Sequence, residues 1–321
     1  MTRPTISEPS DASDSVTPRQ APEPYEPVIG GQAEEGEQAE SRRRPLKWLL
    51  ERTYRFAPAL TPHVARLTVR ASYSVVNRQL RRRPWTCLNY GWATLDGDGI
   101  AADSRLSPQE ARAGDRLCLQ LYERVAQHHV EGKRVLEVGC GRGGGTAFLR
   151  RSLGARDVTG VDLTASSIRW CKKHCSEPDV RFAVGDAENL ELADSCFDAV
   201  VNVESSHNYP HVDRFLAEAH RVLRPGGLLL LADFRPTPDI AGLAQKIAAA
   251  GFVVDEDVDI TDNVVRSLSL VSAEREAWVQ ECIPGFLQGA ARDFSGTEGS
   301  VSFLALAQKE WEYRRYVARK T

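Results

Sequence analysis

Arg134-Val135-Leu136-Glu137-Val138-Gly139-Cys140-Gly141-Arg142-Gly143-Gly144-Gly145 reads as a short buried strand running into a glycine-rich turn, with a helix beginning near Thr146. The apolar run Val135, Leu136, Val138 suits a parallel strand covered on both faces. Glycines at 139, 141 and 143 let the backbone turn tightly and approach a ligand without interference from a Cβ. The pattern lacks the Gly-Lys-Ser/Thr ending of a phosphate-binding P-loop. A nucleoside-type ligand at the carboxyl end of a sheet strand is the reading that remains.

Working outward, strands and helices alternate. Strands are expected at 157–163, 180–184, 197–203 and 228–232. Helices are expected at about 164–175, 212–223 and 240–250, with Pro225-Gly226-Gly227 as a helix stop. Such alternation implies a parallel, doubly wound α/β sheet. Ahead of it, Ser107-Pro108-Gln109-Glu110 has the form of a helix start, and Leu117, Leu121, Tyr122 and Val125 supply an apolar face. Beyond Asp259 the pattern becomes helical to about 309, and Trp311–Arg319 reads as a last, antiparallel edge strand.

The N-terminal third is different in kind. Residues 1–44 are rich in Pro, Glu, Ser and Gln with one aromatic residue, Tyr25, which is the composition of a disordered tail. From Arg42 to Arg83 arginines face a single acid, Glu51, and Trp48, Tyr54, Phe56 and Leu67 are interleaved. That segment is expected to form a basic, aromatic helical cap over 45–106, with anionic membrane contact through 42–83 as the competing use of the same charge pattern. The methyl-bearing and aromatic side chains of 85–92 and 278–294 suit an apolar pocket, with Tyr90, Trp92, Tyr209 and Phe286 as its candidate walls.

Composition removes several alternatives. The 321-residue chain has a formal net charge of -3, which gives no case for nucleic acid. Seven cysteines without a Cys-x-x-Cys pair argue for a reducing, cytoplasmic setting rather than a disulfide framework. Cys171-Lys172-Lys173-His174-Cys175 lacks the spacing of a zinc site and reads as a surface helix with two half-buried thiols. No apolar run approaches the ~18 residues of a membrane span.

Chemistry gathers at strand ends. Asp162 closes the second strand about twenty residues past the loop, where a carboxylate accepts from ribose hydroxyls. Asp186 closes the third and suits an exocyclic amine. Glu137, just before the glycines, would repel a pyrophosphate, so the ligand end facing it should carry an ammonium or sulfonium.

As a set, Glu137-Val138-Gly139-Cys140-Gly141-Arg142-Gly143, Gly160-Val161-Asp162-Leu163, Gly185-Asp186-Ala187-Glu188-Asn189-Leu190 and Arg221-Val222-Leu223-Arg224-Pro225-Gly226-Gly227 resemble the motif series of class I S-adenosylmethionine-dependent methyltransferases. More narrowly, Asn89-Tyr90-Gly91-Trp92, Asn202-Val203-Glu204-Ser205-Ser206-His207-Asn208-Tyr209-Pro210-His211 and Tyr313-Arg314-Arg315-Tyr316 are similar to phthiotriol and phenolphthiotriol dimycocerosate O-methyltransferases. The resemblance implies a Rossmann-like sheet of seven strands, the last antiparallel, within a domain spanning 107–321 that carries a helical lid over 261–309. It implies S-adenosyl-L-methionine as cofactor, no metal, and an apolar polyketide-derived or lipid acceptor. Gly139, Gly141 and Gly143 would line the methionine half and Glu137 support its amino group. Asp162 would bind ribose, Leu163 flank adenine, Asp186 and the Ala187 amide read the adenine edge, and Asn202 lie near the methionine carboxylate. His207 is the candidate base, because imidazole exchanges protons near neutral pH, and Asp233 its partner. Alternatives are a C-methyltransferase of sterol or quinone type, and a methyltransferase-like cyclase or binding protein that transfers no methyl.

Overall fold

The computed structural model describes residues 85–321. The tail at 1–44, the membrane-contact candidate at 42–83 and the 45–84 portion of the expected cap lie outside the described residues. The remainder of that cap, 85–106, is extended chain and turns rather than helix.

Seven strands form one sheet in the order β3-β2-β1-β4-β5-β7-β6. They are β1 (Arg134–Val138), β2 (Asp157–Asp162), β3 (Val180–Val184), β4 (Phe197–Val203), β5 (Leu223–Pro236), β6 (Phe252–Asp259) and β7 (Trp311–Lys320). The first five run parallel to one another, and β7 pairs antiparallel with both β5 and β6. The last strand is therefore inserted between β5 and β6 and is not an edge. Its residues explain this: Tyr313, Tyr316, Val317 and Ala318 are all at most 3% exposed, a burial that an edge position does not provide.

The helices are α1 (Arg116–Ala126), α2 (Gly144–Arg151), α3 (Ala165–His174), α4 (Val212–Val222), α5 (Thr237–Ile240), α6 (Leu243–Ala249), α7 (Thr261–Cys282), α8 (Gln288–Ser295) and α9 (Val301–Ala307). Strand alternation separates two cores. Val135, Val158 and Val201 pack with Leu121, Tyr122, Phe148 and Leu149 of α1 and α2. Leu136, Val138 and Val200 pack with Phe215, Leu216 and Ile247 of α4 and α6 on the opposite face. In α4 the buried positions are Phe215, Leu216, Ala219 and Val222, the stripe expected of a helix laid on a sheet.

The helix start at Ser107 is only half realised. The capping box forms, with the Ser107 amide donating to Glu110 Oε2 at 2.8 Å and the Glu110 amide to Ser107 Oγ at 3.3 Å. A single 3-10 turn, Glu110–Arg112, follows before α1 begins anew at Arg116. Just before α1, Asp115 turns its carboxylate to Thr86, accepting from the Thr86 amide at 3.0 Å and hydroxyl at 2.6 Å. The break at Gly114 permits that turn, since a Cβ there would lie 2.8 Å from Trp85 Nε1.

The segment between β6 and β7 is helical, as expected, and α7 holds the extended chain at 89–93. Ser267 Oγ donates to the Tyr90 carbonyl at 2.9 Å, Asn263 Nδ2 to that of Ala93 at 2.8 Å and Arg275 Nη2 to that of Asn89 at 3.1 Å.

At Gly145, in the first turn of α2, a Cβ would lie 2.1 Å from Tyr122 Cζ. Tyr122 is 5% exposed and cannot swing away. Gly145→Ala is expected to destabilise the fold by about 1–3 kcal/mol, the usual range for overpacking, read as a lowered urea midpoint at unchanged slope.

Candidate active site

A cleft of about 960 Å³, counting its open mouth, lies at the carboxyl ends of β1 to β4, where open α/β sheets bind ligands. Its wall comprises the glycine loop at 138–142, the turns at 161–164 and 185–188, residues 203–205 and 208–210 after β4, and a strap at 86–89.

Glycine shapes the loop by subtraction. Gly139 has φ +80° and a Cβ there would lie 2.0 Å from Ser205 Oγ. At Gly141, φ +53°, a Cβ would meet nothing within 4 Å, so this turn borders open space. Gly144 likewise admits the strap, whose Thr86 Oγ1 would stand 2.4 Å from a Cβ and whose Thr86 carbonyl accepts the Gly144 amide at 3.1 Å. Cys171 of α3 is fully buried, not half-buried as expected, and its thiol donates to the Gly141 carbonyl at 3.4 Å.

Asp162 and Asp186 both face the cleft. Asp162 accepts the Gly141 amide on Oδ2 at 3.0 Å and the Thr164 amide on Oδ1 at 2.7 Å. Each oxygen keeps a lone pair for a ligand. Burial raises the Asp162 pKa, opposed by those same amides. Asp186 Oδ1 accepts the Glu188 amide at 2.9 Å, and Leu163, Ala187 and Tyr209 also line the cleft.

Glu137 does not face the cleft. Its Oε1 accepts from Tyr122 Oη at 2.6 Å and its Oε2 from Thr146 Oγ1. Strand alternation points it to the α1–α2 side of the sheet, beneath the loop, where its carboxylate bonds α1 and α2 rather than lining the cleft. Burial pushes its carboxyl up to about 7, the two hydroxyls pulling the other way. Asn202 is also fully buried. Its Nδ2 donates to the Val138 carbonyl at 2.8 Å and to Tyr209 Oη at 3.0 Å, while Oδ1 has no partner among the described residues.

His207 and Asp233 come together beside the cleft rather than in its wall. His207 Nδ1 lies 2.8 Å from Asp233 Oδ1. Asp233 also accepts from Ser206 Oγ at 2.5 Å and from the amides of His207 at 2.8 Å and Phe234 at 2.9 Å. Arg235 Nη1 stands 3.4 Å away. Burial alone would raise this carboxyl, but the adjoining His207 ring, with Arg235 and Ser206, holds it well below the carboxylate range. The carboxylate fixes a proton on Nδ1, which leaves Nε2 as the acceptor. Asn208 Nδ2 is 2.7 Å from that nitrogen.

Three expected pocket residues sit elsewhere. Phe286 is 88% exposed in the turn Gly285–Leu287. Trp92 packs against the α1 side of the core with the Arg124 guanidinium 4.8 Å from its ring. Tyr90 is buried in a stack on Phe234, centroids 5.3 Å apart. Aromatic composition signalled an apolar environment without saying which. Glu204 also lines the cleft, as do Arg142, Ser205 and Asn208, which stand inside the quoted motifs without an assigned role, and Thr86, which carried no sequence signal.

The parallel sheet with a reversed seventh strand and a glycine loop at its switch point defines the class of Rossmann-like methyltransferase folds. The cyclase SpnF shares it with a TM-score of 0.58 at 22% identity, over 78% of this chain and 94% of that one. Geranyl diphosphate methyltransferase, solved with GPP and sinefungin, shares it with a TM-score of 0.53 at 18% identity, over 76% and 93%. A methyltransferase domain family matches residues 136–231. The fatty-acid O-methyltransferase of Mycolicibacterium smegmatis is 36% identical over 269 residues, 84% of this chain and 95% of that relative. The phthiotriol/phenolphthiotriol dimycocerosates methyltransferase of Mycobacterium tuberculosis is 42% identical over 207 residues, 64% and 77%. The chain belongs to this family and is an S-adenosyl-L-methionine-dependent methyltransferase.

Glu204 yields a pH prediction. It is a non-glycine residue at φ +49°, a backbone state that must be held by its surroundings. Its Oε2 accepts the Tyr90 amide at 2.8 Å and Tyr313 Oη at 3.1 Å. Burial pushes its carboxyl from 4.5 up to about 8, with Asp233 adding to the rise and the Tyr90 amide opposing it. Between those values the folded protein keeps a proton that the unfolded chain has released, so stability falls as pH rises. The corresponding window for Glu137 closes at about 7, leaving the last stretch to Glu204. Glu204→Gln, which cannot ionise, is expected to flatten the decline in urea midpoint between about pH 7 and 8. An unchanged slope there would show that Glu204 ionisation does not drive it.

Proposed function

We propose that this enzyme transfers the methyl group of S-adenosyl-L-methionine to a hydroxyl on an apolar acceptor, a polyketide-derived or other lipid, with His207 as the base. The carrying observation is the His207–Asp233 pair at 2.8 Å, with the Asp233 side chain fully buried. Relatives whose names specify fatty-acid O-methylation and dimycocerosate methylation support the acceptor class.

The wall suits the cofactor. Asp162 offers its spare lone pairs to ribose hydroxyls, Leu163 an apolar face to adenine, and Asp186 with the Ala187 amide an acceptor and donor for the adenine edge. Gly139, Gly141 and Gly143 give the methionine half room. The orphaned Oδ1 of Asn202 is an acceptor, which suits an ammonium and opposes a carboxylate. It lies beneath Tyr209, so it would act at the floor of that end. When bound, the cofactor supplies an electrophilic methyl on a sulfonium.

The chain's own part is positioning and proton removal. Asp233 holds the imidazole with Nδ1 protonated, and Nε2 takes the acceptor's proton as its oxygen engages the methyl. Asn208 must first yield its place at Nε2 to that hydroxyl. Desolvation in the cleft and fixed orientation supply the rest of the acceleration.

With saturating acceptor, His207→Ala is expected to lower kcat by about 10²–10⁴, the usual contribution of general base catalysis, while cofactor affinity stays the same. Asp233→Asn should lower kcat in the same direction through the lost tautomer. An unchanged rate in His207→Ala removes the base assignment. NMR of the labelled product locates the new methyl, and a carbon-bound methyl replaces this reading with C-methylation.

A further inference from the structure

Next to the cofactor cleft is a second one of about 520 Å³, counting its open mouth, bordered by the strap, α1, α7 and α8. Its walls carry Trp85, Leu88, Cys118, Val271, Trp278 and Phe294. We propose that this cleft seats the hydrocarbon chain of the acceptor, whose hydroxyl end crosses the strap into the cofactor cleft. This rests on the lipid-acceptor reading given above and adds where the chain lies.

Three observations carry it. The first is continuity: Cys87, Leu88 and Asn89 line both clefts, so the two are separated by one thickness of chain. That partition is pinned at both ends. Thr86 is bonded to Asp115, and the Asn89 carbonyl accepts from the Cys118 thiol at 3.1 Å and from Arg275 Nη2 at 3.1 Å. Leu88 between them is half-buried and packs toward Trp278 and Val279. A pinned strap with an apolar side chain at its centre is a threshold over which an alkyl chain can pass.

The second is polarity. Of the charged groups bordering the cleft, Asp115 is bonded to Thr86, Arg275 donates to the carbonyls of Ser295 at 2.5 Å and of Asn89, and the largely exposed Glu274 keeps its Oε1 close to Gly114. Apart from these groups the lining is mainly aromatic and aliphatic, a surface that recognises hydrocarbon by burial. The third is an unspoken-for donor. Trp278 is 2% exposed and its indole N–H has no partner among the described residues. An oxygen on a polyketide chain would satisfy it.

The two tryptophans, tilted with centroids 5.7 Å apart, also report on occupancy. A dibrominated stearic acid quenches indole fluorescence on contact, and it is expected to quench the wild-type protein saturably. The Trp85→Phe/Trp278→Phe variant should lose the quenchable share while keeping the emission of the other tryptophans. Val271→Phe, which fills the cleft, should raise the half-quenching concentration about tenfold. Absent quenching, or quenching that persists in the double variant, overturns the proposal. Transfer of labelled methyl to hydroxylated lipids is measured in parallel. Transfer together with persistent quenching sinks the cleft and leaves the lipid reading standing. Quenching abolished in the double variant without any lipid transfer upholds the cleft and sinks the lipid reading of the reaction.

Discussion

Three missing side chains organise this protein. At 139, 144 and 145 the space of a Cβ is taken by Ser205 after β4, Thr86 of the strap and Tyr122 of α1. Close packing admits no compromise at such positions, because each intruding group is itself bonded or buried. The glycine loop is therefore a junction at which three segments distant in the chain reach van der Waals contact. The ligand cleft is the space left on the other side of that junction, where Gly141 faces nothing.

Buried carboxyls around this junction behave in opposite ways for physical reasons that can be read from their neighbours. Glu137 receives two hydroxyls and no cation, so burial prevails and it holds its proton toward neutrality. Glu204 receives one amide and one hydroxyl close to Asp233, and its proton is held more firmly still. Asp233, no less buried, has His207, Arg235 and Ser206 and stays ionised. Environments that push neighbouring acids apart in this way allow one to carry charge and another to remain neutral at the same pH.

Much of this was legible in the chain, and the failures have particular causes. Glycines, apolar strands and regular alternation marked the sheet, and the strand-end acids Asp162 and Asp186 do face the cleft. The place of β7 was not legible, since strand order is decided by pairing across more than fifty residues and Trp311–Lys320 looks the same at an edge or inside. The helix start at Ser107 was correct locally and then overruled by the bond from Asp115 to Thr86. Glu137 was assigned to the ligand from its charge and from the family motif, whereas the strand's alternation turns its side chain under the loop. Tyr90, Trp92 and Phe286 show that aromatic type indicates neither burial nor which cavity is served.

Within the reaction proposed above, the contact between Asn208 and Nε2 of His207 sets a condition on what can react. An incoming group has to break an amide–imidazole hydrogen bond 2.7 Å long and replace it with one of its own. A hydroxyl does so without net loss; a thiol, a weak donor, or a carbon centre with no proton to offer leaves both partners unsatisfied. Water is able to make the exchange but brings no hydrocarbon to bind. Within the proposed reaction, the resting site is thus a lock with two tumblers, one turned by hydrogen-bond donation and one by apolar surface, and a molecule carrying only one of them leaves the base covered.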